Sequence, residues 1–260
     1  VVTGQGQALI GYKNLAHEIP AATAANKQNN VMSPSTWDYW PITGSMSLNI
    51  FLQTAQPIDF IAIAGHNFGD MAVAPFMNIW TASTVAGALS YKGVFTVNGN
   101  EAKMIVLSAA VTAIRVQILF SFTGNPTNHG GRLGVVSIGK TLEMQRGIYG
   151  GHAPALLNDK TDFYSAPDSS GQVLGRTITR GQHDGNFSWK HITPSWYRSD
   201  FLPFVESAKK MPFFIMWRPD TYTDEVIYGM TTDDISATNM AGGVRLIEVG
   251  FKMMGHKDEL

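Results

Sequence analysis

The chain contains no cysteine, which excludes disulfides, thiolate-ligated metals and cysteine nucleophiles together. Charge is also scarce. Asp, Glu, Lys and Arg make up 15% of 260 residues, and 19 basic against 20 acidic side chains leave a formal net charge of −1. Without a basic excess the surface lacks the phosphate-neutralising term behind broad nucleic-acid binding, so no nucleic-acid partner is expected. No run approaches the ~18 apolar residues of a membrane helix, so no membrane span is expected either. Val1 to Gln7 lacks the basic and apolar regions of a secretory signal. Lys257-Asp258-Glu259-Leu260 spells an ER-retention address, but without such a signal it reads as a charged chain end. Few charges among many Gly, Asn, Thr and Ser residues suit a protein that buries surface against other subunits.

What the sequence does contain is strand periodicity. Met46, Leu48, Ile50 and Leu52 alternate with Ser47, Asn49 and Gln53, the period of a half-buried strand. Gln56-Pro57 breaks the run, because proline gives no N–H to a ladder. Ile58 to Ala64 is then apolar on both faces apart from Asp59, as in a strand buried in the middle of a sheet, and it ends in the polar loop Gly65-His66-Asn67-Phe68-Gly69-Asp70. Further strands are expected at Leu9 to Tyr12, Phe76 to Thr81, Gly93 to Val97, Glu101 to Leu107, Ala113 to Phe120 and Leu133 to Ile138. Short strands spaced by Gly, Asn and Pro turns, such as Thr123 to Gly131, argue for a β-sandwich in residues 1–146.

Composition shifts at Gly147-Ile148-Tyr149-Gly150-Gly151-His152, read as a hinge between domains. Residues 147–260 are expected to form a smaller β-rich domain with one helix. Its strands are placed at Gln172 to Arg180, Asn186 to Ile192, Phe213 to Trp217, Glu225 to Met230 and Val244 to Met253. The helix is placed at about 199–210, with Ser199 or Asp200 as cap, Phe201, Phe204, Val205 and Ala208 on one face, and Pro212 as its stop. The fold class is therefore mainly β.

Trp37, Tyr39 and Trp40 interrupt a polar lead-in and read chiefly as a plug closing one end of a core. Gly134-Val135-Val136-Ser137-Ile138-Gly139-Lys140-Thr141 matches the phosphate-loop pattern G-x4-G-K-[ST]. That chemistry needs a strand before the loop and a helix after it, whereas here a turn precedes and the variable positions favour a strand. Nucleotide binding is not expected. The seven histidines include no H-E-x-x-H pair. Asp233-Asp234 reads as turn chemistry, since calcium needs converging oxygens that a sequence cannot display. Nothing marks a nucleophile, as no G-x-S-x-G elbow is present. No catalytic residue, cofactor site or metal site is assigned, and an enzyme is not expected.

A wider resemblance appears once these stretches are set together. Trp37-Asp38-Tyr39-Trp40, Ser47-Leu48-Asn49-Ile50, Ile58 to Ala64 and Ile114-Arg115-Val116 resemble the discoidin or galactose-binding jelly-roll superfamily. Ala64 to Gly69, Gly139 to Leu142, Tyr149 to Pro154, Gly171 to Arg176 and Pro212 to Pro219 are similar to stretches of tailed-bacteriophage structural proteins of the tail or its tip. The resemblance implies a jelly-roll first domain and a virion component, such as a distal-tail or baseplate-hub protein. It implies assembly in a ring with itself and other tail proteins, in the host cytoplasm. The alternative is a carbohydrate-binding module of a host-recognition component, with a host surface glycan as partner. For that alternative the candidate glycan contacts are Trp37, Trp40, His66 and Asn67, because sugars are held by exposed aromatic faces beside polar groups. For His66 the competing reading is a hydrogen-bonded residue fixing its loop.

Overall fold

The computed structural model describes residues 6–20, 23, 26–71, 73–122, 130–152, 155–167, 173–240 and 245–257. The turn-rich stretch lies outside them up to residue 129, as do the first five residues, residues 171–172, residue 244 and the last three residues of the chain. The strands, in chain order, are β1 (Leu9–Gly11), β2 (Ala16–Glu18), β3 (Trp40–Ile42), β4 (Met46–His66), β5 (Phe76–Ala82), β6 (Ser90–Thr96), β7 (Lys103–Ser121) and β8 (Gly131–Gly139). They continue with β9 (Leu142–Glu143), β10 (Asp159–Pro167), β11 (Val173–Ile192), β12 (Phe213–Met216), β13 (Val226–Thr231), β14 (Ser236–Asn239) and β15 (Ile247–Gly255). The protein is mainly β, as its periodicity implies.

The two segments expected on either side of Pro57 form one strand, β4, and the two expected at 101–107 and 113–120 likewise form β7. The strands pair antiparallel along both halves, from Met46↔Phe120 to Ile63↔Lys103, with register irregularities between Phe51 and Gln56 and between Ile58 and Phe60. Bulges bend a strand without ending it, which is how Pro57 stays inside β4, at an exposed position. The bend folds the sheet β3-β8-β4-β7-β5-β6 over itself. Leu48, Ile50 and Leu52 from one half of β4 then share a core with Ile61 and Ile63 from the other, joined by Val116, Ile118 and Phe120 from β7. This is the expected sandwich.

The second half of β4 is buried on both faces because a further sheet covers the outside of the sandwich. Phe60, Ala62 and Ala64 alternate away from Ile61 and Ile63, and with Met104 and Val135 they meet Leu9, Phe214, Met216, Val226 and Tyr228. Those partners belong to the sheet β10-β11-β15-β13-β12-β1-β9. A division of the chain at 146/147 therefore does not coincide with the sheets. β1 lies between β12 and β9, and Ala8, Ile10, Leu142 and Met144 pack in the same core as Phe187, Trp189 and Phe251.

The far face of this second sheet carries the helix. It runs as α1 (Pro194–Trp196), a π turn (Tyr197–Phe201) and α2 (Leu202–Ala208). The expected start at Ser199 is thus replaced by one at Pro194, where the missing N–H costs nothing, and Ser199 instead bonds back to the Ser195 carbonyl at 3.1 Å. Pro203 has no N–H to offer the carbonyl four residues earlier, and the wider turn immediately before it relieves that mismatch. Phe201, Phe204, Val205 and Ala208 are buried as the sequence pattern requires. Phe204 meets Phe213 edge-on at 4.9 Å.

Beyond the sheet, β10 pairs with the first part of β11. This hairpin arm exposes the apolar side chains of Phe163, Tyr164 and Ile178. Among the described residues, no helix is long and apolar enough to cross a membrane.

Candidate functional site

The four candidate contacts separate sharply. Trp40 lies in β3, paired with Leu133 of β8, fully buried and edge-on to Phe120 at 5.9 Å. It is the plug the sequence suggested. His66 is also 0% exposed and stacks on Phe68 at 4.7 Å, so neither ring has a face open to a surface ligand. Asn67 fixes its loop from both ends of its amide. Its Nδ2 donates to the Gly130 carbonyl at 3.0 Å, and its Oδ1 accepts from the Arg132 N–H at 2.7 Å. Replacing Asn67 by alanine is expected to cost about 1 kcal/mol of stability in urea unfolding. An unchanged midpoint would mean that the loop holds itself.

Trp37 differs from all three, being 82% exposed. It is carried by the segment Ser33 to Asp38, which crosses the seam between the sandwich and the second sheet. Close approach of three backbones makes that crossing possible. Gly65 has φ +62°, and a Cβ there would meet Thr36 at 2.9 Å. A Cβ on Gly134 would meet the carbonyls of Thr36 and Gly65 at 3.1 and 3.2 Å. Only glycine fits both needs, a left-handed φ and no side-chain volume. From the second sheet, the buried Tyr228 hydroxyl donates to the Pro34 carbonyl at 2.7 Å, and His256 Nδ1 lies 3.3 Å from Thr36 Oγ1. Burial pushes the Tyr228 pKa up, which keeps that hydroxyl protonated as a donor.

These contacts also explain the phosphate-loop match. Gly134 and Gly139 both lie in β8. Gly139 is packed against the Lys13 carbonyl and the Phe60 ring. A two-residue strand, β9, follows Lys140-Thr141, not a helix, so no N-terminal dipole faces the loop. Thr141 N–H instead donates to Asp59 Oδ1 at 2.6 Å, and burial raises the Asp59 pKa despite that bond.

Beside Trp37 opens a groove of about 420 Å³, whose walls include Thr36, Gln182, Met230, Met254, His256 and Lys257. One exposed indole, two thioethers and several hydrogen-bonding groups make an amphipathic surface of the kind that holds a small polar ligand with apolar faces. The groove draws on five separated stretches of chain, so no local motif marks it. At its border lies a cluster the sequence reading missed. His183 is buried, with Nδ1 2.7 Å from Asp159 Oδ1 and Nε2 2.9 Å from Glu101 Oε2. Asp159 Oδ2 accepts from Lys257 Nζ. Burial alone would lower the His183 pKa, but hydrogen bonds and charge from Glu101, then Asp159, outweigh it and raise the value above that of ordinary histidine. The hydrogen bond from Lys257 is the chief reason that the Asp159 pKa falls. Glu101 comes from the sandwich side, Asp159 from the arm and Lys257 from the end of β15, so the cluster ties three parts together. Among the described residues no group of three or more His, Cys, Asp or Glu side chains is arranged to hold a metal ion.

No family model matches the chain, and no curated protein does. Among solved structures it is similar to carbohydrate-binding modules. A pectin-binding module shares 13% identity over 48% of this chain and 91% of its own, with a TM-score of 0.40. The family 32 module of AlyQ, solved with 4,5-unsaturated mannuronic acid, shares 21% over 49% of this chain and 95% of its own, at 0.38. The family 32 module of C. perfringens NanJ, solved with galactose, shares 13% over 50% and 98%, also at 0.38. Likeness this distant transfers neither ligand nor partner to this chain.

Proposed function

We propose that this chain is a non-catalytic recognition protein that binds a glycan in the groove beside Trp37. The carrying observation is the indole itself, held out at 82% exposure on a segment hydrogen-bonded to residues of the second sheet and packed against Gly65 and Gly134 of the sandwich. An aromatic face beside Gln182 and Thr36 offers a sugar both surfaces it presents, an apolar ring face and hydroxyl edges. The sequence resemblance to tailed-phage proteins supports placing this function in a virion tail, with a host surface glycan as ligand and assembly in the host cytoplasm.

The full chain is expected to bind on a glycan array. Trp37→Ala should lower the affinity at least about tenfold, equivalent to about 1.4 kcal/mol, while leaving the melting temperature unchanged, since the side chain is mostly solvent-exposed. An array without signal, or equal binding by the variant, would sink the reading.

A second reading, a ring-forming structural subunit of the tail tip, is favoured by the arm. β10 stands at the edge of its sheet, and Phe163, Tyr164 and Ile178 are 50%, 65% and 46% exposed. An edge strand with exposed apolar side chains is suited to pairing with another chain. Closed rings in electron micrographs of the purified protein, together with its detection in virions, would support that reading. A monomer at high concentration that is missing from virions would refute it.

A further inference from the structure

The second sheet packs on β4 beyond the bend, at Phe60, Ala62 and Ala64. Before the bend, the outward residues of β4 and those of β7, β5 and β6 beside them are partly or well exposed. The pairing register sets Asn49, Gln117, Trp80 and Tyr91 in one row across these four strands. Trp80 and Tyr91 lie 5.4 Å apart at 54°, and Tyr91 is 53% exposed. Arg115, two residues before Gln117 on β7, is a diagonal neighbour of Trp80, a separation of about 7–8 Å. Its guanidinium is held in place. Nε and Nη2 donate to Asn49 Oδ1 at 3.3 and 2.9 Å, where Gln117 Nε2 also donates at 3.2 Å, and Cζ lies 5.8 Å from the centre of the Phe51 ring.

We infer that this face binds a carboxylate-bearing polysaccharide, with a sugar ring against Trp80 and Tyr91 and its acid group on Arg115. The face is charged in one sense. Residues 46–53, 76–82, 90–96 and 113–121, which form these parts of the four strands, contain Lys92 and Arg115 and no Asp or Glu. Glu18 of β2 stands opposite Phe51, one strand further from Arg115, and no ion pair among the described residues joins the two. The guanidinium thus has a neutral amide and a ring for neighbours but no counter-charge, and its remaining donors are those a carboxylate accepts as charge-assisted bonds. A sugar also matches the rest of the row, its apolar face meeting the aromatic pair and its hydroxyls meeting the amides of Asn49 and Gln117. A second copy seated face to face would instead set like charges together. The groove beside Trp37 shares no residue with this face, so the inference adds a site and does not depend on that groove.

The test is calorimetric titration of the full chain carrying Trp37→Ala, which takes the groove out of the measurement. The probes are polygalacturonate, alginate and hyaluronan, each also used after methyl esterification of its carboxylates. At least one acidic polymer is expected to bind, at least about tenfold more tightly than its ester. Arg115→Gln should abolish that preference and Arg115→Lys, which keeps the charge, should retain part of it. Tyr91→Ala, at an exposed position, should weaken acid and ester alike. Unchanged melting temperatures would show that the variants fold. Equal affinity for acid and ester, a preference that survives Arg115→Gln, or no binding of any polymer overturns the inference. Binding that is present with native Trp37 and lost in Trp37→Ala overturns it too, and leaves the groove reading standing. A dimer that Tyr91→Ala dissociates, with no polymer bound, would make the face a contact between copies and equally overturn it.

Discussion

Phe60→Ala is expected to lower the unfolding free energy by about 3–5 kcal/mol, the usual range for a buried phenylalanine. Phe60 is fully buried and sits where the sandwich meets the second sheet, so its loss opens a cavity between two layers instead of at the rim of one. Its ring also sets which residues are possible nearby. A Cβ on Gly11 would approach the Phe60 ring within 2.9 Å. Gly11→Ala alone should therefore overpack the interface and cost about 1–3 kcal/mol. In the Phe60→Ala background the same methyl enters the vacated space, so the double variant should be more stable than the sum of the single effects implies. Urea unfolding of the four proteins measures this coupling directly. A cost below about 1 kcal/mol for Phe60→Ala, or additive effects, would show that the two sheets do not depend on this ring.

The second large effect concerns pH. Both ring nitrogens of His183 face carboxylate oxygens, and a neutral imidazole has only one N–H to give. The arrangement is satisfied by the imidazolium, in agreement with the raised pKa. A histidine whose folded pKa is raised contributes its stabilisation in full below the unfolded value of about 6.5, and loses it as pH rises through the folded value. Asp159 behaves in the opposite sense. Its folded pKa is lowered, so its contribution is present above the ordinary carboxylate value and fades as pH falls through the folded one. At about pH 6, His183→Gln is expected to cost about 2 kcal/mol, a value below that of a wholly buried pair because both acids are partly exposed. The difference between the proteins should shrink as pH is raised towards about 9. Lys257, Gln182 and Asp184 also belong to the local network. A stability difference that stays constant across that pH range would mean that His183 acts by packing and not by charge.

Several features of the fold were legible because they follow from burial alone. The alternation at 46–52 and the doubly apolar run at 58–64 are what one covered face and two covered faces demand, and both sit where those demands arise. The helix face was legible for the same reason. The bend in β4 was not, since Pro57 marks both a strand end and a bulge, and only the partner strand decides between them. β10 was missed because Asp159 to Pro167 has no strong alternation. It is held by pairing with β11. β1 was expected as a strand, but three residues cannot announce which sheet receives them.

The candidate site was less legible than the fold. Spacing could not tell the exposed Trp37 from the buried Trp40, three residues away, because one lies in a crossing segment and the other in a paired strand. His66 and Asn67 drew attention as polar residues at the end of a strand. Asn67 instead holds its loop through the backbone of Gly130 and Arg132, distant in sequence, and His66 stacks on Phe68. The groove itself joins residues from 34 to 257, and the His183 cluster joins Glu101, Asp159 and Lys257. Neither had a signature shorter than the fold.

The placement of β1 bears on how the molecule is made. Leu9 to Gly11 pair with Phe214 to Met216 on one side and with β9 on the other, so this strand emerges from the ribosome long before its main partner exists. The sandwich strands, which pair largely among themselves, have what they need earlier. Closure of the second sheet must then await synthesis of β12, and so distant a pairing is intrinsically slow. Until then the apolar outer face of the nascent sandwich, Phe60, Ala62 and Ala64 among its residues, has no cover, and exposed apolar surface of that kind favours aggregation.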